Sequence, residues 1–197
     1  ATLLSVVILL AWANPARADE IRDAQWHLRS LRIAEALQHS QGQGVSVAVV
    51  DTGVDASHVD LAGAVLPGRE VAGQGDGRTD FDGHGTGMAG LIAARGRAGS
   101  AGAIGVAPQA MIIPIRAGGP GGLFISEALN LAVESGANVI CIASASGGGG
   151  TRLEEAIRRA HEADAVVVAA AGNRPDDGIQ APAKYAGVLA SVGVDKD

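Results

Sequence analysis

The hydrophobic pattern alternates between two kinds of segment from residue 45 onward. Short continuous apolar runs, typical of strands buried on both faces, occupy residues 45–50, 111–115, 139–143, 165–171 and 188–194. Segments with helical character lie at residues 84–94, 126–135 and 151–163. We expect Ser126 to cap the second helix, and Thr151 with Glu154 to form a capping box for the third. The alternation predicts an α/β fold with a mostly parallel sheet flanked by helices.

Two segments precede this alternation. Residues 2–13 are apolar and uncharged, but a membrane-spanning helix needs about 20 residues. Because Ala16-Arg17-Ala18 follows as an A-x-A cleavage site, residues 1–18 are predicted to be a signal peptide, and a strand or helix of the fold is the alternative. Residues 19–43 are polar and mostly helix-like, and we interpret them as an N-terminal extension. The protein is therefore expected to be secreted or to lie in the cell envelope.

Composition excludes several classes of protein. Aromatic residues make up 3% of the 197 residues, so the core must be built from Ala, Val, Ile and Leu. A single Cys excludes an intramolecular disulfide framework and a Cys-based zinc site. The net charge of −6 and the lack of a basic cluster argue against nucleic acid as a partner.

Three polar residues stand where chemistry is expected. Ligands bind beyond the carboxyl ends of parallel strands, and Asp51 and Asn173 each follow a predicted strand. His84 lies between two glycines at the start of a predicted helix, where partner groups can approach the ring. Each residue also has a plainer interpretation: a turn Asp, a surface-loop His and a turn Asn.

Together, an Asp, a His and an oxyanion-type Asn in this order resemble the subtilisin-like serine proteases (subtilases, peptidase family S8). The resemblance runs from about residue 44 to 194 and includes His58-Val59-Asp60-Leu61, 105–108 (GVAP) and 181–185 (APAKY). It implies a three-layer sandwich, incomplete at the C-terminus, with residues 44–197 as the N-terminal part of a peptidase domain. It also implies that Asp51 orients His84, that His84 takes a proton from a serine hydroxyl, and that Asn173 donates to the oxyanion.

The resemblance also implies a peptide-binding cleft with two edges. A peptide would lie between them as an added strand held by main-chain hydrogen bonds. The residues implied at these edges are Gly119, Gly121 and Gly122 on one side, and Ser144, Ala145, Ser146 and Gly147 on the other. The second edge departs from the usual Ser-Leu-Gly-like run of the family.

A closer resemblance is to the mycosins, the proteases associated with type VII secretion. It rests on 23–28 (DAQWHL) directly after the signal peptide and on 125–133 (ISEALNLAV). It implies a peptide or protein substrate, a possible link to the type VII secretion machinery, and membrane association only through a C-terminal segment not seen in this sequence.

The family's nucleophile, a Ser in a Gly-Thr-Ser-x-Ala motif, is not found in this sequence. We therefore interpret the chain as the N-terminal portion of a secreted serine endopeptidase, inactive alone. A non-catalytic homologue or truncated product that binds peptides is the alternative.

Other chemistries remain as weaker alternatives. An aspartic protease would use Asp51 in its Asp-Thr-Gly triplet, but needs a second such triplet from another copy. A nucleotide-binding loop at 85–90 (GTGMAG) lacks the strand that should precede it. No cofactor is expected. Asp76, Asp80 and Asp82 form an acidic loop that is expected to be solvated, and calcium binding to its carboxylates is the weaker alternative.

Overall fold

The β-branched apolar runs of the sequence form the strands of one parallel sheet. The computed structural model describes residues 16–71, 73–97, 101–118, 124–145 and 149–196. Its strands are β1 (Ser46–Asp51), β2 (Arg69–Glu70), β3 (Arg95–Arg97), β4 (Ala101–Ile104), β5 (Met111–Arg116), β6 (Val139–Ile142), β7 (Val166–Ala170) and β8 (Val188–Ser191). Its α-helices are α1 (Ala16–Ala24), α2 (Trp26–Ser30), α3 (Ile33–Ala36), α4 (His84–Ala93), α5 (Ile125–Glu134) and α6 (Thr151–Glu162).

Six of the described strands pair in the order β2-β5-β1-β6-β7-β8, and every neighbouring pair is parallel. β3 and β4 form a separate antiparallel hairpin. The predicted mostly parallel sheet is therefore confirmed. β1 lies between β5 and β6, so the carboxyl ends of these three strands meet at one edge.

The sheet is covered on both faces because successive residues of β1 point in opposite directions. Ala48 and Val50 pack into a core shared with α5 and α6. Val47 and Val49 pack into a second core on the other face, which includes residues of α4. The predicted sandwich of a sheet between two helical layers is confirmed.

The edge of β5 next to β2 is interrupted at Pro114. The β5 residues two positions before and after Pro114 form hydrogen bonds on this edge. The Ile112 N–H donates to the Ala64 carbonyl, the Ile112 carbonyl accepts from the Leu66 N–H, and the Arg116 carbonyl accepts from the Val71 N–H. Pro114 has no N–H to donate there, and β2 pairs with β5 only beyond it, from Ile115 to Arg116. β2 is short for this reason.

The N-terminal extension is bound to the β3–β4 hairpin. The Arg22 guanidinium donates to the carbonyl oxygens of Gly102 and Ala101, each at 3.2 Å. The Gln25 amide donates to the Ile104 carbonyl at 2.8 Å and accepts from the Ile104 N–H at 2.9 Å. Within the described ranges, no helix has the length and apolar character needed to cross a bilayer.

Both capping predictions are wrong. α5 begins at Ile125, which is buried in the core, so Ser126 lies inside the helix and Phe124 takes the cap position. α6 begins at Thr151 itself, and Gly150 is its cap residue. No side-chain cap hydrogen bond forms at either helix start.

Candidate active site

A cleft of about 290 Å³ lies at the carboxyl edge of the sheet. It is formed where β1, β5 and β6 end and where α4 and α5 begin. Its lining residues are Asp51, Thr52, Asp82, His84, Ala117, Gly118, Phe124, Ile125, Ala143 and Ser144. The cleft therefore combines two carboxylates and an imidazole with apolar walls.

Asp51 and His84 form a hydrogen-bonded pair in this cleft. Asp51 is the last residue of β1, and its side chain is 4% exposed. Both of its carboxylate oxygens lie 2.8 Å from His84 Nδ1, and Oδ1 also accepts from the Thr52 N–H at 2.7 Å. The acceptor-only carboxylate favours the proton on Nδ1, which leaves Nε2 free to accept one.

Two glycines allow His84 to reach Asp51. Gly83 has a φ of 94°, a left-handed conformation that favours glycine, and α4 begins directly after it. Gly85 lies against the loop after β1, because a Cβ built on it would stand 2.0 Å from the Gly53 carbonyl oxygen. The run Gly83-His84-Gly85 therefore brings the imidazole against the end of β1.

The electrostatics of the pair favour a protonated imidazole. The hydrogen bond to Asp51 raises the pKa of His84, and the charges of Asp51, Asp82 and Asp80 add to this effect, whereas burial opposes it. The His84 side chain is 52% exposed, so its free edge remains accessible. A histidine in this setting can accept a proton and hold it while a reaction proceeds.

The acidic loop before His84 was expected to be solvated, and this is true of only two of its three carboxylates. Asp76 and Asp82 are exposed, whereas Asp80 is half-buried and its carboxylate accepts hydrogen bonds from the protein. Asp60, in the HxDL-like motif, is buried and pairs with the Arg97 guanidinium at 2.7 Å. Across the part of the chain that the structure describes, no three His, Cys, Asp or Glu side chains converge to hold a metal ion.

Asn173 lies past the end of β7, on the same edge of the sheet, and is exposed. β7 is separated from β1 by β6, which places the two strands about 10 Å apart at about 4.8 Å per strand spacing. Asn173 is not among the residues that line the cleft as the structure describes it. Its role as oxyanion donor stays a prediction.

The predicted peptide-binding edges are described only in part. Ser144 lines the cleft directly after β6, and Ala145 follows it. The other predicted edge residues, Gly119, Gly121, Gly122, Ser146 and Gly147, lie outside the described residues. Gly118, next to the first of these glycines, does line the cleft.

Sequence reasoning missed the apolar walls of the cleft and the support behind it. Phe124 and Ile125 form part of the wall, although their position directly after a glycine-rich run was a usable signal. Thr52 and Thr86 were also missed, and both hydroxyls bond to Asp80. Thr52 directly follows Asp51, and Thr86 lies two residues after His84. This closeness in sequence was the available signal.

A parallel sheet that carries a carboxylate–imidazole pair at its carboxyl edge matches two members of the Asp-His-Ser arrangement found in one class of α/β proteases. Comparison with protein families matches residues 42–197 to the subtilase family. The chain belongs to the subtilase family. This confirms the resemblance inferred from Asp51, His84 and Asn173.

Individual relatives agree with this assignment. Thermitase of Thermoactinomyces vulgaris is 32% identical over 177 residues, which cover 88% of this chain and 63% of thermitase. A crystal structure of MycP1 with its N-terminal propeptide removed has 30% identity and a TM-score of 0.71, covering 84% of this chain and 61% of that one. The MycP3 protease from the type VII (ESX-3) secretion system has 33% identity and a TM-score of 0.71, covering 85% and 57%. Mycosins are therefore among the structural neighbours, and the chain spans less than two thirds of each relative.

Proposed function

We propose that this chain is the front part of a secreted serine endopeptidase that hydrolyses peptide bonds by an Asp-His-Ser triad. The observation that carries the proposal is the contact of His84 Nδ1 with both oxygens of the buried Asp51 at 2.8 Å. It fixes the tautomer that a general base needs. The second support is membership of a family whose relatives include thermitase and MycP3.

In the proposed reaction, His84 Nε2 takes the proton of a serine hydroxyl as the serine oxygen bonds to the scissile carbonyl carbon. Asp51 stabilises the imidazolium that forms. The C–N bond then breaks, and the same proton passes from Nε2 to the leaving amine. Water, activated by His84 in the same way, releases the acyl group from the serine. The chain's own side chains and one serine suffice, so we propose no cofactor.

The peptide and the oxyanion are assigned to the rim of the cleft. We propose that the peptide lies as an added strand between the chain segments that begin at Gly118 and at Ser144, two residues that line the cleft. The apolar wall at Phe124 and Ile125 then receives a substrate side chain. Asn173 is proposed to donate its amide to the tetrahedral oxyanion.

We propose that the nucleophilic serine lies beyond Asp197. Within the described residues, the hydrogen bonds of the His84 ring go to Asp51. A secreted or envelope location, with a link to type VII secretion, is proposed from the apolar residues 2–13 and from the mycosin neighbours.

The test is to express this chain together with the coding frame that follows Asp197 and to treat the protein with a fluorophosphonate probe. We expect one labelled serine downstream, peptide hydrolysis, and loss of both in His84→Ala. Asp76→Asn, an exposed loop substitution, is the matched control and should keep both. The 197-residue chain alone should not be labelled, and a labelled serine within it would overturn the assignment. Peptide binding without labelling would favour the non-catalytic homologue.

A further inference from the structure

The Asp80 carboxylate accepts five hydrogen bonds from other groups of the protein. Its Oδ1 accepts from the Thr52 hydroxyl at 2.9 Å, from the Asp82 N–H at 3.1 Å and from the Gly83 N–H at 3.0 Å. Its Oδ2 accepts from the Thr86 N–H at 2.9 Å and from the Thr86 hydroxyl at 2.6 Å. Both oxygens are therefore committed to the protein.

These donors belong to two different elements. Thr52 stands in the segment after β1, whereas Gly83 and Thr86 flank His84 at the start of α4. Thr52 also accepts from the Gly85 N–H at 3.0 Å and donates its own N–H to Asp51 at 2.7 Å. The Asp80 carboxylate thus connects the backbone before and after His84 to Thr52, the residue next to Asp51.

The carboxylate has a physical reason to remain ionised. Burial alone would raise the pKa of Asp80, but hydrogen bonds from Thr86, from the Gly83 N–H and from Thr52 outweigh it and hold the pKa well below its usual range. Gly83, the cap residue of α4, has no side chain to accept the helix's first N–H groups. The negative charge of Asp80 meets that need and interacts favourably with the positive end of the helix dipole.

We propose that Asp80 is a positioning residue, whose carboxylate holds the segment after β1 and the start of α4 together and so keeps Asp51 and His84 in register. The expected effect on kcat rests on the proposed function, whereas the expected effect on the geometry of Asp51 and His84 does not. Asp80 makes no hydrogen bond to the imidazole. Its charge adds the smallest of the effects that raise the pKa of His84, and its positioning effect acts through Thr52, Gly83 and Thr86.

The test is Asp80→Asn in the protein that includes the frame beyond Asp197. Asn keeps one acceptor oxygen, but its N–H₂ group faces N–H or O–H donors that the second Asp80 oxygen accepts from in the wild type. This repulsion forces the segment after β1 or the start of α4 to shift. A displacement near 1 Å costs about 10²-fold in rate, so kcat should fall roughly 10- to 100-fold. KM should change by less than about threefold, since Asp80 does not line the cleft. In proton NMR, the His84 Nδ1–H resonance should move or broaden.

A matched pair of substitutions separates positioning from simple stability. Thr52→Val removes the hydroxyl that links Asp80 to the β1 segment, and Thr52→Ser should recover most of the kcat that Thr52→Val loses. Because both act on one network, the effects of Thr52→Val and Asp80→Asn should be clearly less than additive in a double variant. Asp76→Asn, in the same loop, should leave kcat and the Nδ1–H resonance unchanged.

The outcomes are distinct for the two proposals. If Asp80→Asn lowers the melting temperature but keeps kcat per folded molecule and the Nδ1–H resonance, Asp80 is merely structural and the inference fails. If the wild-type protein hydrolyses no peptide, the proposed function fails, while the NMR comparison still decides whether Asp80 positions His84. An unchanged resonance in that case also rejects the inference.

Discussion

Replacement of Asp51 by Asn tests the central geometry with the least change of shape. The Asp51 side chain is 4% exposed, and both oxygens lie 2.8 Å from His84 Nδ1. In the variant, the amide N–H₂ can donate to Nδ1, and the ring proton then moves to Nε2. A ring protonated on Nε2 cannot accept the serine proton, so the general base is lost while the packing remains.

The expected loss is about 10⁴-fold in kcat, the size found when this exchange is made in a Ser-His-Asp triad. At about 1.36 kcal/mol per factor of ten, this equals about 5.4 kcal/mol of transition-state stabilisation. KM should stay close to the wild-type value, because the substitution removes an interaction used in the transition state.

The assay is the pH dependence of kcat/KM on a peptide substrate. Asp51 raises the pKa of His84 above its ordinary value of 6.5, so the acid limb of the wild-type profile should lie above pH 6.5. Without the carboxylate this pKa falls, and the limb moves to lower pH. The raised pKa also stabilises the folded wild type below pH 6.5, and that contribution disappears as pH rises through the folded-state pKa. A variant that keeps more than a tenth of wild-type kcat, or an unshifted limb, would refute the reasoning.

Three further substitutions follow from the structure. Gly85→Ala should reduce kcat by at least about tenfold, because its Cβ would meet the Gly53 carbonyl oxygen at 2.0 Å and displace the helix start. Asn173→Ala should lower kcat about 10²- to 10³-fold with little change in KM, measured by steady-state kinetics. Leu129→Ala, in the fully buried face of α5, should reduce the free energy of unfolding by about 2–5 kcal/mol in urea titrations.

Two of these substitutions have a matched comparison, and the third has an outcome that would contradict it. Gly87→Ala has open space around the added Cβ and should keep activity, so equal losses at Gly85 and Gly87 would reject the contact argument. Leu189 is 58% exposed, and its replacement by Ala should change stability by no more than about 0.5 kcal/mol. If Asn173→Ala has wild-type kcat, Asn173 is a turn residue and the oxyanion donor lies elsewhere.

The local pattern of the chain was enough to predict most of the sheet. Strands such as β1 and β5 were predictable because a strand buried on both faces needs a continuous apolar run. Asp51 and His84 could be singled out because a polar residue after such a strand, or a His between glycines, is unusual. The start of α5 was not predictable, since burial of Ile125 rather than the capping preference of Ser126 decided where this helix begins.

The tertiary structure alone decided which groups meet. β2 carries no apolar run, and it exists because the chain passes beside β5 just beyond Pro114. Asp80 looks like one member of an acidic loop in the sequence, and its bonds to Thr52 and Thr86 arise because β1 and α4 come together in space. The sequence determines burial and local conformation through residue type, whereas a hydrogen bond between distant residues depends on where the whole chain places both partners.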